Sequence, residues 1–334
     1  MRQIIYTCPY VPAEWIAAHN LEPQRIMPQA LTANCAVSRL EGLCPYVRAF
    51  MNCILTNRRA CGVIITTACD QMRRGFELLT NTAKPACFLM NVPKTWQASA
   101  RELYKNEIIR LGRFLTGLGG KSASPEGLAA IMLKYNATRQ VLWASKTRLP
   151  AKEFSLAIAE FGYEGLNAPR KATSSNRKIS GIPVMLIGGP LMKDDYGLFD
   201  FIETFGGRVE LDGTETGERG ICRPFDEERI HNDPMTELAN AYFTGIPDPF
   251  LRPNTRFYDW LKYELKNRDI RAILLRRYLW CDLWHSELYR MRQVTGLPVL
   301  EIDVDGEEEP LPERTRQRIS AFMEVVTCST NQGK

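Results

Sequence analysis

The sequence predicts an α/β protein with two doubly wound parallel-sheet domains and a helical insert between them. Three observations support this prediction. Short runs of β-branched and apolar residues alternate with helical patterns in both halves of the 334-residue chain, and this alternation is typical of parallel sheets. Residues 97–161 are mostly helical in pattern. A polar stretch without periodicity, residues 167–178, then precedes the second alternating region.

The N-terminal half begins with a βαβ pattern. Residues 3–7 form a strand-like run, Pro12 begins a short helix, and a second strand is predicted near residues 25–27. Residues 46–55 have helical spacing, residues 62–67 resemble a buried parallel strand, and residues 86–90 predict another one. We therefore assign residues 1–95 to an N-terminal α/β domain, 96–166 to a helical segment and 167–180 to a linker.

The C-terminal half repeats the pattern and is assigned to a second α/β domain, residues 181–334. Its predicted strands cover residues 184–187, 208–212, 272–275 and 299–303. A helix from Leu283 to Gln293 precedes Gly296, a residue that commonly ends helices.

Composition narrows the class of protein. The chain is 45% hydrophobic and 24% charged, with a net charge of +5, so an ordered fold is expected and a nucleic-acid-binding face is not. No run of apolar residues reaches the length of a membrane span, and the first residues do not resemble a signal peptide. These features predict a cytoplasmic protein.

The ten cysteines are unusual for such a chain. A reducing compartment argues against a disulfide framework, there is no Cys-x-x-Cys, and His19, His231 and His285 form no paired ligand motif. Any metal must therefore be held by residues far apart in sequence.

Cys69 and Cys281 occupy equivalent positions, because each follows a hydrophobic strand, precedes an aspartate and lies at the start of a helix. Cys44, followed by Pro45, also lies at a predicted helix start. Ligands of open α/β sheets bind at the carboxyl ends of strands, and a helix N-terminus stabilises a thiolate. The spacing alone leaves two interpretations open, buried core thiols or metal ligands.

A family resemblance favours metal. The four main landmarks are TCPYVPAE at residues 7–14, LCPYVR at 43–48, TACDQMRR at 67–74 and WCDLW at 280–284. Weaker ones are NVPK at 91–94, IETFGG at 202–207, TGER at 216–219, and EID at 301–303 followed by RTR at 314–316. In this order the chain resembles the 2-hydroxyacyl-CoA dehydratase and benzoyl-CoA reductase family, in particular the 2-hydroxyglutaryl-CoA dehydratase D-component.

The resemblance implies two flavodoxin-like domains with an oxygen-sensitive [4Fe–4S] cluster in the cleft between them. It implies that Cys44, Cys69 and Cys281 hold the cluster and leave one iron open to an acyl-CoA thioester. It also implies an ATP-hydrolysing iron–sulfur activator that supplies low-potential electrons, and a dimer with an identical or related subunit. The reaction would be dehydration by a lyase or reduction by an oxidoreductase.

Two alternatives remain within the resemblance. A double-cubane cluster reductase of small molecules needs about six cysteine ligands, and Cys8, Cys35, Cys53, Cys61, Cys87 and Cys328 are numerically sufficient additions. A non-catalytic electron-transfer or scaffold partner would carry a structural cluster and bind no substrate. A cluster-free binding protein with many buried thiols is the interpretation outside the family.

Three further residues are candidate catalytic groups. His285 lies one helical turn after Cys281 and could donate a proton near the cluster. Glu14 and Arg219 are candidate substrate-binding or proton-relay groups. The run GLGGKS at residues 117–122 lacks the spacing of a phosphate-binding loop, so ATP hydrolysis is expected of a partner.

Overall fold

The structure is a computed structural model that describes residues 2–31, 35, 37, 42–80, 85–168, 180–305 and 312–332. Most of the predicted linker, residues 169–179, lies outside the described residues. In the part of the chain so described, no helix is long and apolar enough to cross a membrane.

The N-terminal sheet has four parallel strands in the order β2-β1-β3-β4. Its strands are β1 (Gln3–Tyr6), β2 (Glu22–Arg25), β3 (Ala60–Thr66) and β4 (Ala86–Met90). The connecting helices are α1 (Ala13–Ala18), α2 (Pro45–Thr56) and α3 (Asp70–Thr80). The apolar runs of β1 and β3 are central and buried, as expected for strands covered on both faces.

The C-terminal sheet has the same topology, β6-β5-β7-β8, and is also entirely parallel. Its strands are β5 (Ile182–Gly188), β6 (Gly207–Thr214), β7 (Ala272–Tyr278) and β8 (Val299–Val304). The associated helices are α7 (Gly197–Thr204), α10 (Thr255–Asn267), α11 (Asp282–Thr295) and α12 (Glu313–Gln332). The predicted α/β class and two-sheet layout are confirmed.

Each sheet has one topological switch point, where consecutive connections leave in opposite directions. It lies between β1 and β3 in the first sheet and between β5 and β7 in the second. Crevices beyond the carboxyl ends of strands at such points are the usual ligand sites of open α/β sheets. The fold therefore offers two such crevices, one in each sheet.

The helical segment consists of α4 (Ala98–Gly117), α5 (Pro125–Ser145) and α6 (Ala151–Glu164). Two helices from the C-terminal half, α8 (Glu227–Asn232) and α9 (Pro234–Phe243), pack against it. Tyr104 of α4 stacks on Phe243 of α9 with ring centroids 5.0 Å apart, and both belong to the core that covers one face of the first sheet. The two halves of the chain thus share a core, and the proposed domain boundaries stay a prediction.

The second strand differs in position from the sequence prediction. We expected it near residues 25–27, whereas β2 runs Glu22–Arg25 and includes Pro23. Proline lacks a backbone donor and is tolerated on edge strands, and β2 is the edge strand of its sheet. The apolar signal of a short edge strand is weak, which explains the displacement.

Candidate functional site

A cavity of about 540 Å³ lies beyond the carboxyl ends of strands from both sheets. Loops that follow β1, β3, β5, β6 and β7 all contribute to its wall. Four of the ten cysteines line it: Cys8, Cys44, Cys69 and Cys281. A neighbouring cleft of about 300 Å³ shares Asp248 with this cavity but has no cysteine in its wall. The three predicted ligands therefore face one space.

Cys44 is held at the N-terminus of α2. It is the residue before the first helical turn, Pro45 occupies the first turn, and the thiol is buried. The Gln71 side chain accepts a hydrogen bond from the Cys44 backbone N–H at 2.8 Å, which ties this helix start to the one that follows Cys69. Burial raises the pKa of the Cys44 thiol to about 11, and the N–H groups of Val47 and Tyr46 partly offset this rise.

Cys69 lies between β3 and α3, next to the Gln71 that contacts Cys44. The residue is solvent-accessible at the cavity wall, and the protein packed around its thiol strongly raises the pKa. The Cys44 thiol raises that pKa further, and the backbone N–H of Met72 lowers it. The helix start of α3 thus favours the thiolate in the same way as that of α2.

Cys281 follows β7 and directly precedes α11. Its backbone N–H donates to the Tyr278 carbonyl at 3.1 Å, and Trp280 adopts the left-handed region with φ of 70°. Burial raises the pKa of the Cys281 thiol, and the N–H of Trp284 opposes the rise. The three cysteines share one arrangement, a thiol before a helix with the N–H three residues on directed at it, although Cys44 and Cys281 do not form full capping hydrogen bonds.

The three thiols also influence one another. Cys281 raises the pKa of Cys44 and of Cys69, and Cys44 raises that of Cys69. Within the described residues, no group of three cysteine, histidine or acidic side chains is close enough to hold a single metal ion. An iron–sulfur cluster needs thiolates spread around several irons. The three thiols on one cavity wall supply the donor type that iron–sulfur clusters use.

The fourth thiol, Cys8, follows β1 on the opposite side of the first switch point from Cys69. Burial raises its pKa to about 12, Glu215 raises it further, and a hydrogen bond with Thr66 lowers it. Among the described residues, the other six cysteines lie outside the cavity wall: Cys35, Cys53, Cys61, Cys87, Cys222 and Cys328.

The three candidate catalytic residues lie elsewhere. Glu14 is fully buried, forms an ion pair with Arg139 and accepts a hydrogen bond from Tyr242 at 2.7 Å. His285 is mostly exposed and contacts Glu301 at 3.2 Å. Neither of them lines the cavity.

Arg219 lies just behind the cavity wall. It is fully buried, pairs with Asp248 and donates to the Gly188 and Gly213 carbonyls. Its guanidinium also lies 5.1 Å from the ring centroid of Trp284. Asp248 and Trp284 line the cavity, so Arg219 supports the wall from behind.

Sequence reasoning missed Glu215, which follows β6 directly and lines the cavity. Burial raises the pKa of its carboxyl to about 7, Arg219 and Arg25 lower it, and Asp248 raises it. The signal that could have identified it is the one used for the cysteines, a chemically active residue at the carboxyl end of a predicted parallel strand.

A family model described as 2-hydroxyglutaryl-CoA dehydratase, D-component, matches residues 8–326. Two similar solved structures are of the SBP FpvC from Pseudomonas aeruginosa, with Mn²⁺ and with Ni²⁺. The Mn²⁺ structure is 9% identical with a TM-score of 0.25, and the match covers all of this chain and 99% of that one. The Ni²⁺ structure is 11% identical with a TM-score of 0.23, and the match covers all of this chain and 98% of that one. These scores are too low to support a structural argument. No curated protein matches the chain.

Proposed function

Because the chain belongs to the 2-hydroxyglutaryl-CoA dehydratase D-component family, we propose that it is the cluster-bearing subunit of a 2-hydroxyacyl-CoA dehydratase or a related aryl-CoA reductase. The observation that carries the proposal is the convergence of Cys44, Cys69 and Cys281 on one cavity. In the proposed enzyme these three thiolates would hold a [4Fe–4S] cluster, which would supply one-electron chemistry when bound.

The chain's own residues prepare the cavity for an acyl thioester. Apolar and aromatic side chains from both halves line it, including Val47, Phe250 and Trp284. Lys94 is exposed at the wall, and a cation there attracts an anionic substrate such as an acyl-CoA. Arg252 is half exposed at the same wall and is paired with Glu287 at 2.9 Å. Apolar walls exclude water and strengthen the polar contacts made inside.

The helix starts provide fixed electrostatics for the bound thiolates. Each of α2, α3 and α11 directs free backbone N–H groups at its cysteine. Hydrogen bonds to cluster sulfur ligands and the burial of the site set the reduction potential. Low-potential electrons are assigned to an ATP-hydrolysing activator, and the working enzyme to a dimer with an identical or related subunit.

The test is iron and sulfide analysis after anaerobic purification, with single Cys→Ser variants. We expect about four irons per chain in the native protein and a loss of iron and visible absorbance in Cys44→Ser, Cys69→Ser and Cys281→Ser. Cys53→Ser is the matched control. Cys53 lies on α2, the helix that Cys44 precedes, but it is outside the cavity wall. No iron after anaerobic reconstitution, or full absorbance in Cys69→Ser, would contradict the proposal.

A double-cubane reductase of small molecules is the second candidate, and Cys8 is the observation that favours it. Cys8 adds a fourth thiol to the cavity wall, whereas a double cubane needs about six, so the single cluster remains the first choice. Near eight irons per chain, with iron loss in Cys8→Ser, would favour the double cubane. A non-catalytic electron-transfer or scaffold partner would retain the cluster and fail to bind 2-hydroxyglutaryl-CoA.

A further inference from the structure

We propose that Glu215 is the acid–base residue of the cysteine cavity and exchanges a proton with the acyl-CoA bound there, an inference that rests on the proposed function. Glu215 follows β6 directly and lines the same cavity as Cys69 and Cys281. Its charge raises the pKa of Cys8, Cys69 and Cys281. Glu215 is therefore electrostatically coupled to the reacting space.

The backbone of Glu215 is fixed by an arginine from the other sheet. Arg25 of β2 donates to the carbonyls of Thr7 at 2.7 Å, Gly220 at 2.8 Å and Glu215 at 2.8 Å. The turn is tight as well, because a β-carbon at Gly220 would lie 1.6 Å from the Glu215 carbonyl oxygen. These contacts fix the backbone from which the Glu215 side chain reaches the cavity wall, and a fixed position favours catalysis.

The carboxyl of Glu215 differs from the other acids of the wall. Asp248 is ion-paired with Arg219 and also accepts from the Phe250 N–H. Asp70 and Asp282 are exposed at helix starts. Of the cavity acids that the structure describes, Glu215 is the one that is partly buried without an ion pair within 4 Å.

This environment leaves Glu215 able to exchange a proton near neutral pH. The charged and titratable groups coupled to it from the neighbouring elements are Arg25, Arg219, Asp248, Tyr46, Cys8, Cys69 and Cys281. Burial raises the pKa of its carboxyl to about 7, against the two arginines. A pKa near the operating pH is the condition under which one group serves well as both acid and base.

The proton balance of dehydration then closes on one residue. The O–H bond of protonated Glu215 breaks and its proton bonds to the 2-hydroxyl oxygen of the substrate. The C–O bond breaks with its electron pair on oxygen, and water leaves. The carboxylate takes the proton lost from the neighbouring carbon, whose C–H electrons enter the new C=C bond. The carboxyl is restored and the overall sum is redox-neutral, so an electron supplied by the activator is returned when the product forms.

The test compares Glu215→Gln and Glu215→Asp with Glu210→Gln. Glu210 is the control, because it lies on β6, the strand that precedes Glu215, and is outside the cavity wall. We expect unchanged iron content in all three. Turnover of 2-hydroxyglutaryl-CoA by the holoenzyme with its electron-donating partner should fall by about 10²-fold or more in Glu215→Gln. Glu215→Asp should retain part of the activity with a shifted pH profile, and Glu210→Gln should resemble the native enzyme.

A readout without turnover decides the same point. In an infrared titration of the native protein, the absorption band of a protonated carboxyl should disappear near pH 7. The same band should be absent from the spectrum of Glu215→Gln. Native-like turnover and pH profile in Glu215→Gln, or no such band, would overturn the inference. A native protein without iron would instead overturn the proposed function, and the infrared titration would still test proton exchange by Glu215.

Discussion

Removing the carboxylate of Glu14 tests whether this residue has a catalytic or a structural role. Glu14 lies on α1 and Arg139 on α5, both side chains are almost completely buried, and they form an ion pair. Tyr242 of α9 donates to the second carboxylate oxygen at 2.7 Å. The Arg139 guanidinium also lies 4.4 Å from the ring centroid of Phe225. The pair therefore joins three helices.

The magnitude follows from the burial of both charges. Replacing one partner leaves the other charge buried and unpaired, which costs about 3–5 kcal/mol. Glu14→Gln and Arg139→Met should each lower the free energy of unfolding by this amount. The double variant Glu14→Leu/Arg139→Met removes both charges, and replacing a buried ion pair with apolar residues is often neutral or stabilising. We expect it to be more stable than either single variant.

The assay is urea unfolding followed by circular dichroism, analysed as a double-mutant cycle. Single-variant losses below about 1 kcal/mol would refute the reasoning, because they would mean that the pair is solvated. Substrate turnover per folded protein supplies the second readout. A loss of turnover in Glu14→Gln that exceeds its loss of folded protein would return Glu14 to the catalytic candidates.

Three further predictions concern the backbone and the pH dependence of stability. Gly188→Ala should lower the free energy of unfolding by about 3 kcal/mol or more, measured by urea unfolding, since the new β-carbon would lie 1.8 Å from the Arg276 carbonyl oxygen. Gly197→Ala is the control, because no atom lies within 4 Å of a β-carbon placed there. Its free energy of unfolding should stay within about 0.5 kcal/mol of the native value. Trp280→Gly should be about 1 kcal/mol more stable than Trp280→Ala, because φ is 70° there, and the reverse order in thermal melts would contradict the left-handed conformation. Burial raises the folded-state pKa of Glu215 from 4.5 to about 7. Its contribution to stability, at most about 3 kcal/mol, is therefore present below pH 4.5 and lost as the pH rises to 7. Glu215→Gln should make the free energy of unfolding less dependent on pH across this range, and an unchanged pH dependence would argue against the raised pKa.

The sequence by itself determined the fold class, and it singled out three cysteines that line one cavity. Buried parallel strands carry their own signal, because residues covered on both faces must be apolar nearly throughout, as in β3 and β5. The position of Cys69 and Cys281 between such a strand and a helix start is a local property, readable from adjacent residues. So is Pro45 after Cys44.

Only the tertiary structure decided which chemically active residues share a space. Cys8 and Glu215 lie 207 positions apart yet line one cavity. Arg25 joins the loops after β1 and β6 by donating hydrogen bonds to the carbonyls of Thr7 and Glu215. Glu14, the last residue of the TCPYVPAE landmark, is instead buried in the core and paired with Arg139. Burial and charge pairing are long-range properties of packing, so the raised pKa of Glu215 and the buried ion pair of Glu14 could not be read from sequence spacing.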